Sequence, residues 1–170
     1  MTSGIQSIVD TYVKLRRIDA LTSLRAHRRK LLAEASDRSH FNFAVAREHY
    51  QRDIAVIDAG LNRVLPQNDW TIRGAMDPLS EKEIMGWVQN TRHPDLPVLL
   101  GVYFDGEPAG EILANRFRLE LVTAGIGNGQ HGFVFALPPG AHQSIKSIEV
   151  RAPYETIIVY SRTPGQVSVR

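Results

Sequence analysis

Apolar positions recur three and four residues apart through the first 65 residues, and gather into short runs after that. Ile5, Ile8, Tyr12 and Leu15 mark one helical stripe behind an N-cap at Ser3. Ile18, Leu21, Leu24, Leu31 and Leu32 continue it after a phase shift near Ile18. The stripe dissolves at "ASDRSH", where Ser36, Asp37 and Ser39 offer a break and a new cap. A second stripe runs through Phe43, Tyr50, Ile54, Ile57, Leu61 and Val64, and Pro66 ends it. The pattern predicts two helices of about 34 and 25 residues, roughly 50 and 38 Å long at the helical rise per residue. A short connection folds them into an antiparallel hairpin. Two helices alone leave their stripes partly uncovered. Ile8, Tyr12, Leu15, Tyr50, Ile54, Ile57 and Leu61 are therefore expected at an interface with a second copy or a partner, self-association being the favoured reading.

Beyond Trp70 the rhythm changes. Eight of the nine prolines and eleven of the thirteen glycines lie there, and the runs between them are short and β-branched or aromatic. Strands are predicted over 71–75, 82–89, 97–104, 108–114, 132–137, 145–151 and 155–161. Asp105-Gly106 between apolar runs is a strong hairpin signal. Seven short strands without crossover helices point to an antiparallel β-sandwich. The expectation is an α+β chain: an assembly hairpin over 1–66, an Ig-like or jelly-roll sandwich over 67–162, and a flexible tail over 163–170.

Gly127, Gly129 and Gly132 match the G-x-G-x-x-G spacing of a dinucleotide loop. That loop needs a helix N-terminus after it to hold phosphate. Here Gly132 leads into "FVFALPPG", an extended run closed by Pro138-Pro139, so the glycines are read as a tight connection and no cofactor is expected.

The run from Ile84 to Pro138 contains Gly86-Trp87, Asp105-Gly106, Ala114-Asn115, Arg118, Leu121, "AGIG" at 124–127 and His131-Gly132-Phe133, in that order. It resembles a small β-sandwich module appended to bacterial glycosyltransferases and other polysaccharide- or surface-related proteins. The resemblance covers about 55 residues and extends loosely to about 90. It implies an accessory domain beside carbohydrate chemistry, without an assigned catalytic role. The sequence departs from that pattern at "GWVQN", where the module reads "GWAWD", and at Glu120, where it has Asp. The helices lie outside the match.

Several residues could carry binding. Trp87 offers a face for a sugar ring, although its place inside an apolar strand favours a core anchor. Trp70, beside Pro66 and Asp69, reads as packing at the domain junction. Asn115, Arg116 and Arg118 could grip hydroxyls or a carboxylate; the plainer reading is an Arg118–Glu120 or Arg118–carbonyl bond bracing a long loop. His131 sits by glycines and could cap a turn. With no second ligand at metal spacing, no metal is expected there. Asp95, Asp105 and Glu107 are loop acids whose convergence on calcium the spacing does not establish.

Charge is uneven. Residues 1–65 carry eleven Lys and Arg against seven Asp and Glu, while 66–170 carry nine against eleven, for a net +2. Arg25, Arg28 and Arg29 form a basic strip on one helical face, suited to phosphate or anionic lipid, or simply solvated and partly balanced by Glu34 and by second-helix acids such as Glu48 and Asp53. The modest excess without interleaved aromatics disfavours nucleic acid. No nucleophile motif appears, so an enzyme is disfavoured. No general secretory signal or spanning segment is visible, which suggests a cytoplasmic or cytoplasmic-membrane-associated protein. The expected function is a non-catalytic assembly protein whose sandwich binds a glycan or a glycan-processing partner. The alternative is a structural adaptor without saccharide affinity that binds a protein through its helices.

Overall fold

The computed structural model describes residues 4–36, 41–140 and 144–161, with side chains for all of these except 41, 42 and 155–161. The chain is mixed α+β, helices first and antiparallel sheets after, in two compact units, Met1–Leu65 and Pro66–Arg170. Asp37, Ser39 and the 163–170 tail lie outside the described residues.

Among its described residues the first unit holds three helices: α1 (Gly4–Lys14), α2 (Ile18–Ser36) and α3 (Phe41–Val64). The single helix expected up to Ser36 is therefore two, and the phase shift near Ile18 marks the break. Arg16 adopts a left-handed conformation, φ 51°. Around it Arg17 N donates to Tyr12 O (2.9 Å) and Arg16 N to Val13 O (3.0 Å). Those two bonds make a Schellman cap, normally built on glycine. Arg17 then grips Asp19 with two bonds of 2.7 and 2.8 Å in the first turn of α2, holding that carboxyl down to about 2.

The core of this unit gathers at Gly60. A Cβ there would lie 2.5 Å from Val9 Cγ1 and 3.7 Å from Leu21 Cδ2, so the glycine lets α1 and α2 sit close on α3. Val9, Leu21 and Ile57 are fully buried. Ion pairs add a polar seam: Arg25 Nε to Asp58 Oδ1 (2.5 Å) and Arg28 Nε to Asp53 Oδ2 (2.8 Å). Along this seam the later α2 residue, Arg28, meets the earlier α3 residue, Asp53.

Among its described residues the second unit opens with one 3-10 turn (Gln67–Asp69) and contains eight strands: β1 (Ile72–Met76), β2 (Glu83–Asn90), β3 (Val98–Phe104), β4 (Glu107–Ala114), β5 (Arg116–Phe117), β6 (Gln130–Ala136), β7 (Ser147–Ala152) and β8 (Glu155–Ser161). A short helix, α4 (Leu119–Thr123), lies between β5 and β6. Two antiparallel four-stranded sheets result, ordered β1-β2-β6-β5 and β4-β3-β7-β8. All seven expected strands are present, and the Asp105-Gly106 hairpin joins β3 to β4 with both residues at positive φ. The carboxylate of Asp105 accepts bonds from the backbone N of Lys146 and Ser147 (2.9 and 2.7 Å), tying the hairpin to the start of β7.

The sheets touch through Phe104 and Phe135, whose rings sit edge to face at 6.1 Å. Ile84, Val88, Val98, Leu100, Val102, Phe133 and Val150 are buried. Gly86 makes room for Phe133: a Cβ there would lie 2.9 Å from its ring. Strand alternation then places Met85 and Trp87 on the opposite face of β2. Trp87 is half-buried on that face, away from Phe133, and is not the core anchor its apolar surroundings suggested.

Candidate functional site

That face of the β1-β2-β6-β5 sheet carries a pocket of about 310 Å3 lined by Asp77, Met85, Arg116, Phe117, Arg118 and Gly132, among others. The register explains the grouping. Met85 pairs with Val134, Trp87 with Gly132, and Gly132 with Arg116, so β2, β6 and β5 present these positions side by side. Arg118 follows β5 and folds its stem over Gly132. A Cβ at Gly132 would lie 2.7 Å from Arg118 Cδ and 2.8 Å from its Cγ. Gly132 belongs to β6, not to a phosphate loop; Gly127 and Gly129 hold the positive φ of the turn before it.

The stem delivers the guanidinium to two carboxylates. Nη1 and Nη2 donate to Asp77 (2.8 and 3.2 Å), and Nε donates to Glu120 (2.5 Å). These bonds raise the pKa of Arg118, Asp77 contributing most, while the backbone N–H of Glu120 and then Arg118 lower that of Glu120. Glu120 was legible as a partner from sequence. Asp77 was not: it stands 41 residues away, with no local motif to mark it. Arg116 is exposed and has no carboxylate within ion-pair distance among the described residues. Phe117 is 60% exposed beside it. Phe117 and Val122 flank Gly129, where a Cβ would meet both side chains.

The structure thus brings together Arg116 and Arg118 and places Trp87 on the same sheet face. Asn115 is exposed at the β4–β5 junction and does not line the pocket. His131 stands apart, 1% exposed, its Nε2 3.2 Å from Gln89 Nε2. Gln89 Oε1 accepts from Arg73 Nε (2.9 Å), which orients the amide to donate to the ring. Burial and the charge of Arg73 push the His131 pKa down, against Asp95. A Cβ on Gly127 would lie 2.3 Å from His131 Nε2, so this glycine closes over the ring. His131 is therefore packed inside the fold and does not line the pocket. Asn90, at the end of "GWVQN", is also buried; its side chain accepts from Thr71 N and Arg92 N and donates to Asp69 O. Trp70 is buried with its ring 6.4 Å from that of Tyr154.

On the helices, Ile8 and Leu15 are exposed, Tyr12, Tyr50 and Ile54 half-buried, and Ile57 and Leu61 buried. Those last two serve the core and are not available to a partner. Arg25 and Arg28 of the basic strip are committed to Asp58 and Asp53, and Arg29 lies close enough to Asp58 to act on its charge. Burial pushes the Asp58 carboxyl up to about 6, against the pull of Arg25. Asp105 spends its carboxylate on backbone donors, and among the described residues no group of three His, Asp or Glu side chains could hold a metal. Among them, too, no helix is long and apolar enough to cross a membrane.

Compared with models of known protein families, with curated proteins and with solved structures, the chain finds no match.

Proposed function

We propose that the two sheets form an Ig-like or jelly-roll sandwich of the accessory-module kind, binding a saccharide at the Arg118 pocket, while the helices, with α2 and α3 as a hairpin, mediate self-association. The observation that carries this reading is the braced guanidinium beside an exposed aromatic. Arg118 has five N–H donors and spends three on Asp77 and Glu120, leaving two with no hydrogen-bond partner among the described residues. The carboxylates keep spare lone pairs. A fixed, charge-neutralised array of donors and acceptors suits hydroxyl groups, which need both. Phe117 supplies an apolar face for the C–H side of a pyranose.

Calorimetry against an oligosaccharide panel, with Gly132→Ala as the pocket variant, tests the binding half. The added methyl displaces Arg118 from Asp77, so wild type should bind a panel member and the variant should lose it. No retention by wild type overturns the reading. Light scattering tests assembly: a mass above 19.0 kDa at high micromolar concentration is expected, and a clean monomer rejects it.

A second reading rests on Ile8 and Leu15, 45% and 64% exposed on and just after α1. It makes the chain an adaptor that binds a protein there, without saccharide affinity. Loss of that partner in Ile8→Ser/Leu15→Ser, with a silent saccharide panel, would favour it.

A further inference from the structure

We infer that the saccharide recognised at this pocket is anionic, carrying a carboxylate or phosphate, and that Arg116 reads its charge; the inference rests on the saccharide reading above. The two arginines of the pocket differ in what they have left to offer. Arg118 is held by Asp77 and Glu120 at 2.5 to 3.2 Å, and its charge is matched twice over. It can orient hydroxyls but has little attraction left for an anion. Arg116 lines the same pocket, is exposed, and has no ion-pair partner among the described residues.

The backbone fixes where Arg116 sits. It pairs with Gly132 across β5 and β6, and a Cβ at Gly132 would also lie 3.0 Å from Arg116 O. The adjoining residue, Phe117, is the exposed aromatic of the pocket. An uncommitted planar cation thus borders a surface already equipped for a ring and its hydroxyls. A guanidinium meets a carboxylate or phosphate through two parallel bonds, which sets both affinity and orientation. A neutral sugar would leave Arg116 unused. A bare anion would leave Phe117 and the Arg118 array unused. An acidic sugar engages all three.

The test uses the full chain and a panel of uronic-acid oligosaccharides in gluco, galacto and manno configurations, each matched to its neutral counterpart. Glucose 6-phosphate and inorganic phosphate are further arms. Wild type should bind acidic members and not their neutral partners, more weakly as salt rises. Arg116→Gln should weaken that binding about tenfold or more, as expected for a lost charge-assisted bond. Arg116→Lys should restore part of it, and Lys30→Gln, which removes a charge elsewhere, should change nothing. Circular dichroism confirms that the variants fold. Preference for uronic acid or for sugar phosphate identifies the source of the charge, and either supports the inference. Equal affinity for acidic and neutral members overturns the charge assignment while leaving saccharide binding intact. Inorganic phosphate binding as tightly as the sugars overturns it too. A panel that binds nothing overturns the saccharide reading itself.

Discussion

Asp58 gives the helical unit a pH dependence opposite to that of an ordinary ion-paired carboxylate. Its carboxyl is buried on α3 with Arg25 at 2.5 Å, and burial outweighs that attraction, raising its pKa from 3.8 to about 6. The folded chain therefore keeps this proton up to about pH 6, while the unfolded chain releases it near 3.8. Between those values the folded state binds more protons, so the contribution of Asp58 to stability falls as pH rises through the window. One pKa unit corresponds to about 1.4 kcal/mol, which puts the total loss at about 3 kcal/mol. Asp19 and Glu120, both lowered, impose the reverse slope and obscure the effect in wild type alone. The comparison is therefore with Asp58→Asn, which keeps the shape and cannot titrate. Urea unfolding followed by helical circular dichroism at several pH values gives both curves. Wild-type stability minus that of Asp58→Asn should fall by about 3 kcal/mol from below pH 4 to pH 7. A flat difference would refute the reasoning. So would a rising one, which would mean that Arg25 and Arg29 outweigh burial.

Substitutions at two further positions probe the backbone. Arg16→Gly should stabilise the chain by about 1 kcal/mol, because glycine pays no penalty at the left-handed cap between α1 and α2; a loss in chemical denaturation would argue against that cap. Asp105→Ala should cost about 1–2 kcal/mol by leaving Lys146 N and Ser147 N without their acceptor, and Asp105→Asn should retain most of the stability. Equal thermal midpoints for both variants would show that the turn does not depend on the side chain.

What the sequence discloses divides along local and distant contacts. The Asp105-Gly106 hairpin is visible because its conformational demand sits in two adjacent residues. Seven strands of the second unit are visible because proline and glycine bracket β-branched or aromatic runs. The break at Arg16 is not, since neither glycine nor proline marks it and only the shift in phase near Ile18 hints at it. β5 and α4 escape because two and five residues are too few to show a period. Trp87 misleads for a packing reason: Phe133 from the neighbouring strand fills the space over Gly86, and Trp87 takes the other face. At the candidate site, Arg116, Arg118 and Glu120 are local to one run and legible. Asp77 joins them only through the fold, and the role of Gly132 is to make room for Arg118's stem. The basic strip shows the same limit. Arg25 and Arg28 look like a free cationic face until α3 supplies Asp58 and Asp53.

The most direct test of the account is a map of amide chemical-shift changes as the tightest-binding oligosaccharide of the panel is added. The changes should cluster at Asp77, Met85, Arg116 to Glu120 and Gly132 to Val134, on one face of the β1-β2-β6-β5 sheet. Changes centred instead on α1 to α3 or on β4, with that cluster silent, would contradict it.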